Sequence, residues 1–306
     1  ADTIAAASAG RPRPEVPASM LPRCYRLAFL LLAVALTLHL PASAADSRQA
    51  RGFLWEATRG SGRVLLLGAI HVGKPEYTLM TSAELPRLMS AEVIVFEANV
   101  FDAQVSLAAT QRWAMYPEGA PGLEAHVDKE TLARIEKIVA RTGGVLPVCC
   151  RMKPWMLANT LVVLEAIGAG LNPAYGSEAQ LYQFAMAAGR PIVEIEGLDE
   201  QLRLFDEATT AMQVDHLRHT LDSIDNGTAR AEIERLVGAW ERGDAAAMER
   251  LLAEMTRGER AAQRFVSERI IQGRHPKMLA AIERYAGSGK LHLVVIGALH
   301  YFGPGG

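Results

Sequence analysis

Two histidines close segments that are close copies of each other. Val64-Leu65-Leu66-Leu67-Gly68-Ala69-Ile70-His71 and Leu293-Val294-Val295-Ile296-Gly297-Ala298-Leu299-His300 both run as four branched apolar residues, Gly-Ala, one aliphatic residue and His. A neutral imidazole binds divalent transition metals or serves as a base near neutral pH. A single histidine after a strand is ordinarily a structural hydrogen-bonder, and it is the repetition that points to a shared site. Two imidazoles are too few ligands for a tight metal centre, so a carboxylate is expected beside them. Glu97 directly follows the apolar run Val93-Ile94-Val95-Phe96, and Glu196 ends Ile192-Val193-Glu194-Ile195 in the same manner. Each competes with the plainer reading of a solvated strand end. Arg151, Lys153, Arg274 and His275 are either contacts for an anionic substrate group or exposed loop charges. His126, His216 and His219 read as surface residues of charged helices, and His292 as a structural strand residue. H-E-x-x-H, G-x-S-x-G, a P-loop and a G-x-G-x-x-G after a strand are all missing from the sequence, so none of those chemistries has support.

The elements that must carry these residues follow from periodicity. Residues 53–56 and 63–67 read as a hairpin around Gly60-Ser61-Gly62. The run Val64 to Leu67 is apolar on both faces, as in a buried central strand. A helix at 80–89, interrupted by Pro86, leads to a second buried strand at 92–97. Strand, helix and strand in that order make a βαβ unit with parallel strands, which sets Glu97 beside the strand of His71. Residues 101–144, 154–169 and 178–188 have helical patterns, and 192–196 is a short strand. Residues 201–284 are long, charged and helical, with breaks near Gly227, Gly243 and Gly273. The last strand runs through 291–300. Glycine weakens a strand and lets the backbone turn, so each copy delivers its histidine just past the carboxyl end of a strand. Ligands of open α/β sheets sit at that edge.

The whole composition sets limits. Of 306 residues, 50% are hydrophobic and 22% charged, which excludes a disordered chain. A net charge of -2 and 6% aromatics give no basis for a nucleic-acid partner. Three cysteines cannot staple a chain of this size. Met20 reads as a natural start. Arg23 and Arg26, the apolar run 27–40, Pro41 and Ala42-Ser43-Ala44 then form a secretory signal peptide. The run is short for a bilayer span, so cleavage after Ala44 is expected, with no stable membrane span afterwards. Residues 1–44 are thus upstream residues plus signal, and 45–306 a single domain, exported to a bacterial periplasm. Cys24 leaves with the signal; Cys149 and Cys150 read as two small buried or half-buried thiols without chemistry.

Taken together, these segments resemble the TraB/PrgY/GumN family, whose distant animal relatives are the Tiki proteases. The resemblance runs from about Gly52 to the end. It rests on Phe53-Leu54-Trp55-Glu56, Gly68-Ala69-Ile70-His71-Val72-Gly73, Phe96-Glu97, Lys153-Pro154-Trp155, Ile195-Glu196, Glu200-Gln201 and the closing Gly297-Ala298-Leu299-His300-Tyr301-Phe302-Gly303-Pro304-Gly305-Gly306. Three positions depart from the pattern. Asn99 stands where an acid is common, Gly176-Ser177-Glu178 replaces Gly-x-Asp, and Arg274-His275 replaces Arg-Asn. The resemblance implies an α/β fold like that of the erythromycin esterase and ChaN-like proteins. Such a fold has a central, mainly parallel sheet flanked by helices, with a largely helical middle and C-terminal region. The Tiki branch implies divalent-metal-dependent peptide hydrolysis. The resulting expectation is an exported, peptidase-like metal-dependent hydrolase. His71, His300 and Glu97 would hold manganese, cobalt or zinc, Glu196 would be a base or further ligand, and Arg274 would steady the tetrahedral oxyanion. Its substrate would be a peptide or small molecule. The alternative is a non-catalytic envelope protein that binds a ligand or peptide in the same crevice.

Overall fold

Five strands form one sheet: β1 (Phe53–Arg59), β2 (Gly62–Ala69), β3 (Val93–Phe96), β4 (Ile192–Glu194) and β5 (His292–Gly297), in the order β1-β2-β5-β3-β4. The computed structural model describes residues 52–77, 84–142, 145–258 and 260–306. The expected signal peptide and the first residues of the expected helix at 80–89 lie outside them. β1 and β2 make the expected hairpin, paired antiparallel with Arg59 opposite Gly62. All other pairings are parallel, so the fold is the expected mainly parallel α/β sheet flanked by helices.

One neighbour differs from expectation. β5, the last strand in sequence, inserts between β2 and β3. Glu97 therefore follows a strand that is adjacent to the strand of His300, not of His71. The reason is burial: Leu293, Val294, Val295 and Ile296 are 0, 0, 0 and 1% exposed, and only a central position covers such a strand on both faces. One face of the sheet, with Leu65, Leu67, Ile94, Phe96, Leu293 and Val295, packs against Leu181 and Ala185 of the helix Ser177–Ala187. Trp240 of Thr228–Arg242 and Met248 of Ala245–Thr256 complete that layer. The other face, with Val64, Val93, Val95, Val294 and Ile296, is covered by Met278 and Ala286 of the helix His275–Ala286. Burying each such side chain contributes about 1.5–3 kcal/mol.

The helical middle and C-terminal region are present, with interruptions. The expected helix over 101–144 is two α-helices, Ala103–Ala109, which continues into a π-helical turn at Thr110–Ala114, and Lys129–Arg141, separated by a loop with one 3-10 turn at Leu123–Ala125. Pro117, Gly119, Pro121 and Gly122 account for the gap, since proline removes the donors a helix needs. The side chains of Asp102 and Asp128 cap the two helices by accepting from their first-turn N–H groups. Pro86 does not interrupt a helix; it lies in the first turn of Leu85–Met89, where proline is tolerated. The breaks at Gly227 and Gly243 are where they were expected. Gly273 lies in a tight turn, Gln272–Arg274, between a π-helical turn, Val266–Ile271, and the helix that starts at His275. Among the described residues, no helix is long and apolar enough to cross a membrane.

Candidate functional site

Four parallel strands end at one edge of the sheet, and each ends in a candidate residue. β2 runs out through Ile70 to His71, β3 into Glu97, β4 toward Glu196, and β5 into a single turn, Ala298–Tyr301, that carries His300. The two Gly-Ala-x-His copies lie on adjacent strands but are offset by one residue, with Ala69 opposite Gly297. Their glycines consequently do different things. The Gly68 carbonyl accepts from the Trp240 indole at 2.7 Å. Gly297 leaves room for a carboxylate: a Cβ there would lie 3.3 Å from Glu97 Oε1, which accepts from the Gly297 N–H.

Arg274 ties the centre together. Its Nε donates to both oxygens of Glu196 at 3.0 and 3.1 Å, and its Nη2 to Glu97 Oε2 at 2.5 Å and Glu196 Oε2 at 2.6 Å. Its Nη1 donates to the Ile270 carbonyl at 3.5 Å and to His300 Nε2 at 3.1 Å. A guanidinium has only donors, so His300 Nε2 accepts and the ring proton sits on Nδ1. That Nδ1 is buried without a hydrogen-bond partner. Gln201 Nε2 donates to Glu97 Oε2 at 3.2 Å and to Glu196 Oε2 at 3.0 Å, and the Glu196 N–H donates to the Glu97 carbonyl at 3.0 Å. The side chains of Arg274, Glu97 and Glu196 are 10, 11 and 4% exposed.

His71 belongs to a separate pair. Its Nδ1 meets Glu178 Oε2. The segment Gly176-Ser177-Glu178 clamps the end of β2. The Ser177 N–H donates to the Ile70 carbonyl at 2.9 Å, and the Ile70 N–H donates to Ser177 Oγ at 2.8 Å. The His71 side chain is 76% open to solvent while that of Glu178 is 16%.

The electrostatics separate the imidazoles. The Glu178 charge raises His71 from 6.5 to about 9; burial opposes this, and the hydrogen bond to Glu178 and the Glu97 charge add to it. His300 is lowered from 6.5 to about 4, first by burial and then by Arg274, His275 and His71, against the pull of Glu97. At neutral pH His71 is therefore charged and His300 neutral. Burial alone would raise Glu97, but Arg274 and the Gly297 N–H hold it below the usual carboxylate range. The side chains of Glu97 and Glu196 thus face one guanidinium in this buried cluster. His71 senses Glu97 and His300 senses His71, which places both rings and the acid in one neighbourhood.

As they stand, His71, Glu97 and His300 do not fit a metal ion. Among the described residues, no three His, Cys, Asp or Glu side chains converge as ligands would. His71 is bound to Glu178, and the guanidinium lies between Glu97 and His300. Every N–H of Arg274 is engaged, so contact with an oxyanion would require one of these bonds to be given up.

The remaining candidates have structural partners. Arg151 donates to the carbonyls of Tyr116, Pro117 and Ala120 and pins the irregular loop; Lys153 pairs with Asp206 at 2.7 Å. His126 stacks on Tyr116, and His292 is buried against Tyr285. His216 is not a plain surface residue, since burial lowers its pKa. His275 meets the His300 ring edge-on with centroids 5.4 Å apart. Glu194 is exposed; two residues before Glu196, it shares that residue's side of an extended chain, so alternation does not account for the difference between them. Cys149 and Cys150 are free thiols, one buried and one half-buried. Glu178 was not singled out from sequence; its position two residues past Gly176, at a helix start, was the signal.

Fold and site together define an α/β protein that gathers histidines and acids at the carboxyl edge of a parallel sheet. The TraB/PrgY/gumN family profile matches residues 53–306, and the chain belongs to that family. It is 26% identical over 146 residues, 47% of this chain and 52% of the relative, to a protein of Escherichia coli K12 described as uncharacterized protein YbaP. It is also 26% identical over 140 residues to YbaP of Shigella flexneri, 45% of this chain and 50% of that one. The chain spans about half the length of these curated relatives. No solved structure matches it.

Proposed function

We propose that this chain is an exported hydrolase acting on peptide-like substrates at the sheet edge formed by His71, Glu97, Glu196 and His300. One observation carries the reading: four strand ends from distant parts of the sequence bring a solvent-open imidazolium and two buried acids to one edge of the sheet. His71, charged at neutral pH and held through Nδ1 by Glu178, has Nε2–H left to give to the leaving nitrogen as the C–N bond breaks. Glu97 or Glu196 takes the proton of the attacking water once its bond to Arg274 loosens. A divalent cation, manganese, cobalt or zinc, belongs to the same proposal. The pair of acids and the neutral His300 ring support it, and its entry requires Arg274 to leave Glu97 and His300. Export rests on the basic and apolar pattern of residues 20–44.

The engagement of every Arg274 donor favours the second reading, a non-catalytic protein that binds a peptide or small ligand at this sheet edge. Digestion of an unbiased peptide library, with and without chelator, separates the two. The hydrolase reading expects cleavage products, with chelator suppressing them if the cation is needed. A library returned intact under both conditions and with added manganese, cobalt or zinc contradicts it.

A further inference from the structure

Beside the turn that carries His300 lies a cavity of about 240 Å³. It is lined by Leu252 of the helix Ala245–Thr256, Ile271 of the π-helical turn and Phe302, all buried. Ser267 and His275 complete the lining and are half-buried. Both ends of this lining adjoin the polar cluster. Phe302 comes two residues after His300, and His275 directly follows Arg274 with its ring centroid 5.4 Å from that of His300. The same two segments therefore shape the cavity and the cluster. His275 Nε2 is buried and, among the described residues, has no hydrogen-bond partner. An apolar lining with a polar atom left to pair is the usual make-up of a ligand pocket. Its size narrows the occupant: pockets that enclose a whole drug-sized molecule measure about 300–1,000 Å³, so this one takes a single large side chain. A charged side chain would lose its hydration against Leu252, Ile271 and Phe302 without a partner in return.

We infer that this cavity is a side-chain pocket, which receives a leucine, methionine or phenylalanine of a peptide lying along the carboxyl edge of the sheet, with His275 Nε2 left to bond the peptide backbone. The pocket selects the residue, and the cluster of Glu97, Glu196, Arg274 and His300 stands beside the bond that follows or precedes it. The inference rests on the reading of this edge as a peptide site, and it holds whether or not the bound peptide is cleaved.

Two measurements on the full chain test it. One is digestion of the peptide library, scored for the residues that flank each cut; the other is ligand-observed nuclear magnetic resonance with N-acetyl-phenylalaninamide, with N-acetyl-glycinamide as the control. Wild type should favour large apolar residues over glycine at one flanking position by about tenfold or more, the discrimination an apolar pocket provides, and should bind the phenylalanine probe and not the glycine one. Ala253→Phe places a ring in the cavity from the helix Ala245–Thr256, and should cut that preference by about tenfold and remove probe binding. If that variant does not fold, Ser267→Phe fills the cavity from the π-helical turn and should do the same. Cleavage without side-chain preference, or a preference or probe binding that a folded, filled variant retains, overturns the inference and leaves the peptide reading of the edge in place. Probe binding that the filled variant loses, in a protein that cleaves nothing, supports the pocket and contradicts the hydrolase. Neither cleavage nor probe binding by wild type overturns both.

Discussion

The two histidines of the repeated motif have opposite environments, and that fixes how pH acts on the fold. The folded His300 refuses a proton that the unfolded chain accepts below 6.5, so stability falls as pH drops from 6.5 toward about 4. Glu97, held low, adds to this loss, because its ionised form is the one the fold retains. His71 acts in the other direction. Its charged pairing with Glu178 is fully present below 6.5 and is lost as pH rises through about 9. Water at the open ring screens that pair, so the alkaline limb is the shallower one. Thermal midpoints measured across pH should peak near 6.5, His300→Asn should flatten the acid limb, and His71→Asn the alkaline limb. A His71→Asn curve that overlays wild type between pH 8 and 10 would mean that the Glu178 pair contributes nothing. At this scale the sequence showed which residues gather but not how they pair. Arg274 lies outside any period, and a charge on a loop looks the same whether it is solvated or the hub of six hydrogen bonds.

At the scale of elements, the segment Gly176-Ser177-Glu178 decides where His71 points. A Cβ on Gly176 would lie 2.6 Å from the His71 carbonyl oxygen and 2.9 Å from that of Ile70, both backbone atoms with little room to yield. Gly176→Ala should therefore push the helix Ser177–Ala187 off the end of β2 and separate Glu178 from His71. The expected cost is about 1–3 kcal/mol, read from the denaturant midpoint, with the alkaline limb of the pH curve flattened as in His71→Asn. Wild-type stability in this variant would show that the clamp is not needed. The buried strands were legible because a strand covered on both faces is a continuous apolar run. The order of the strands was not, since the position of β5 depends on where a chain returns after more than ninety residues of helix and turn. The one-residue offset between the two copies was hidden for the same reason: register is set across strands, not along them.

At the scale of the molecule, β2, β3 and β5 run side by side in one direction, so residues near positions 71, 97 and 300 become neighbours without sharing any local sequence. All of these strands lie within residues 53–306, the span that belongs to the TraB/PrgY/gumN family. The helices that cover both faces supply the remaining parts: Glu178 and Gln201 come from helix starts and Arg274 from the turn before the last helix. The direct measurement is the peptide-library digest repeated with His71→Ala and Glu97→Gln, with near-ultraviolet circular dichroism as the check on folding. The account predicts cleavage by the wild type that both substitutions abolish while the spectrum is unchanged. Cleavage that persists in either folded variant would contradict it.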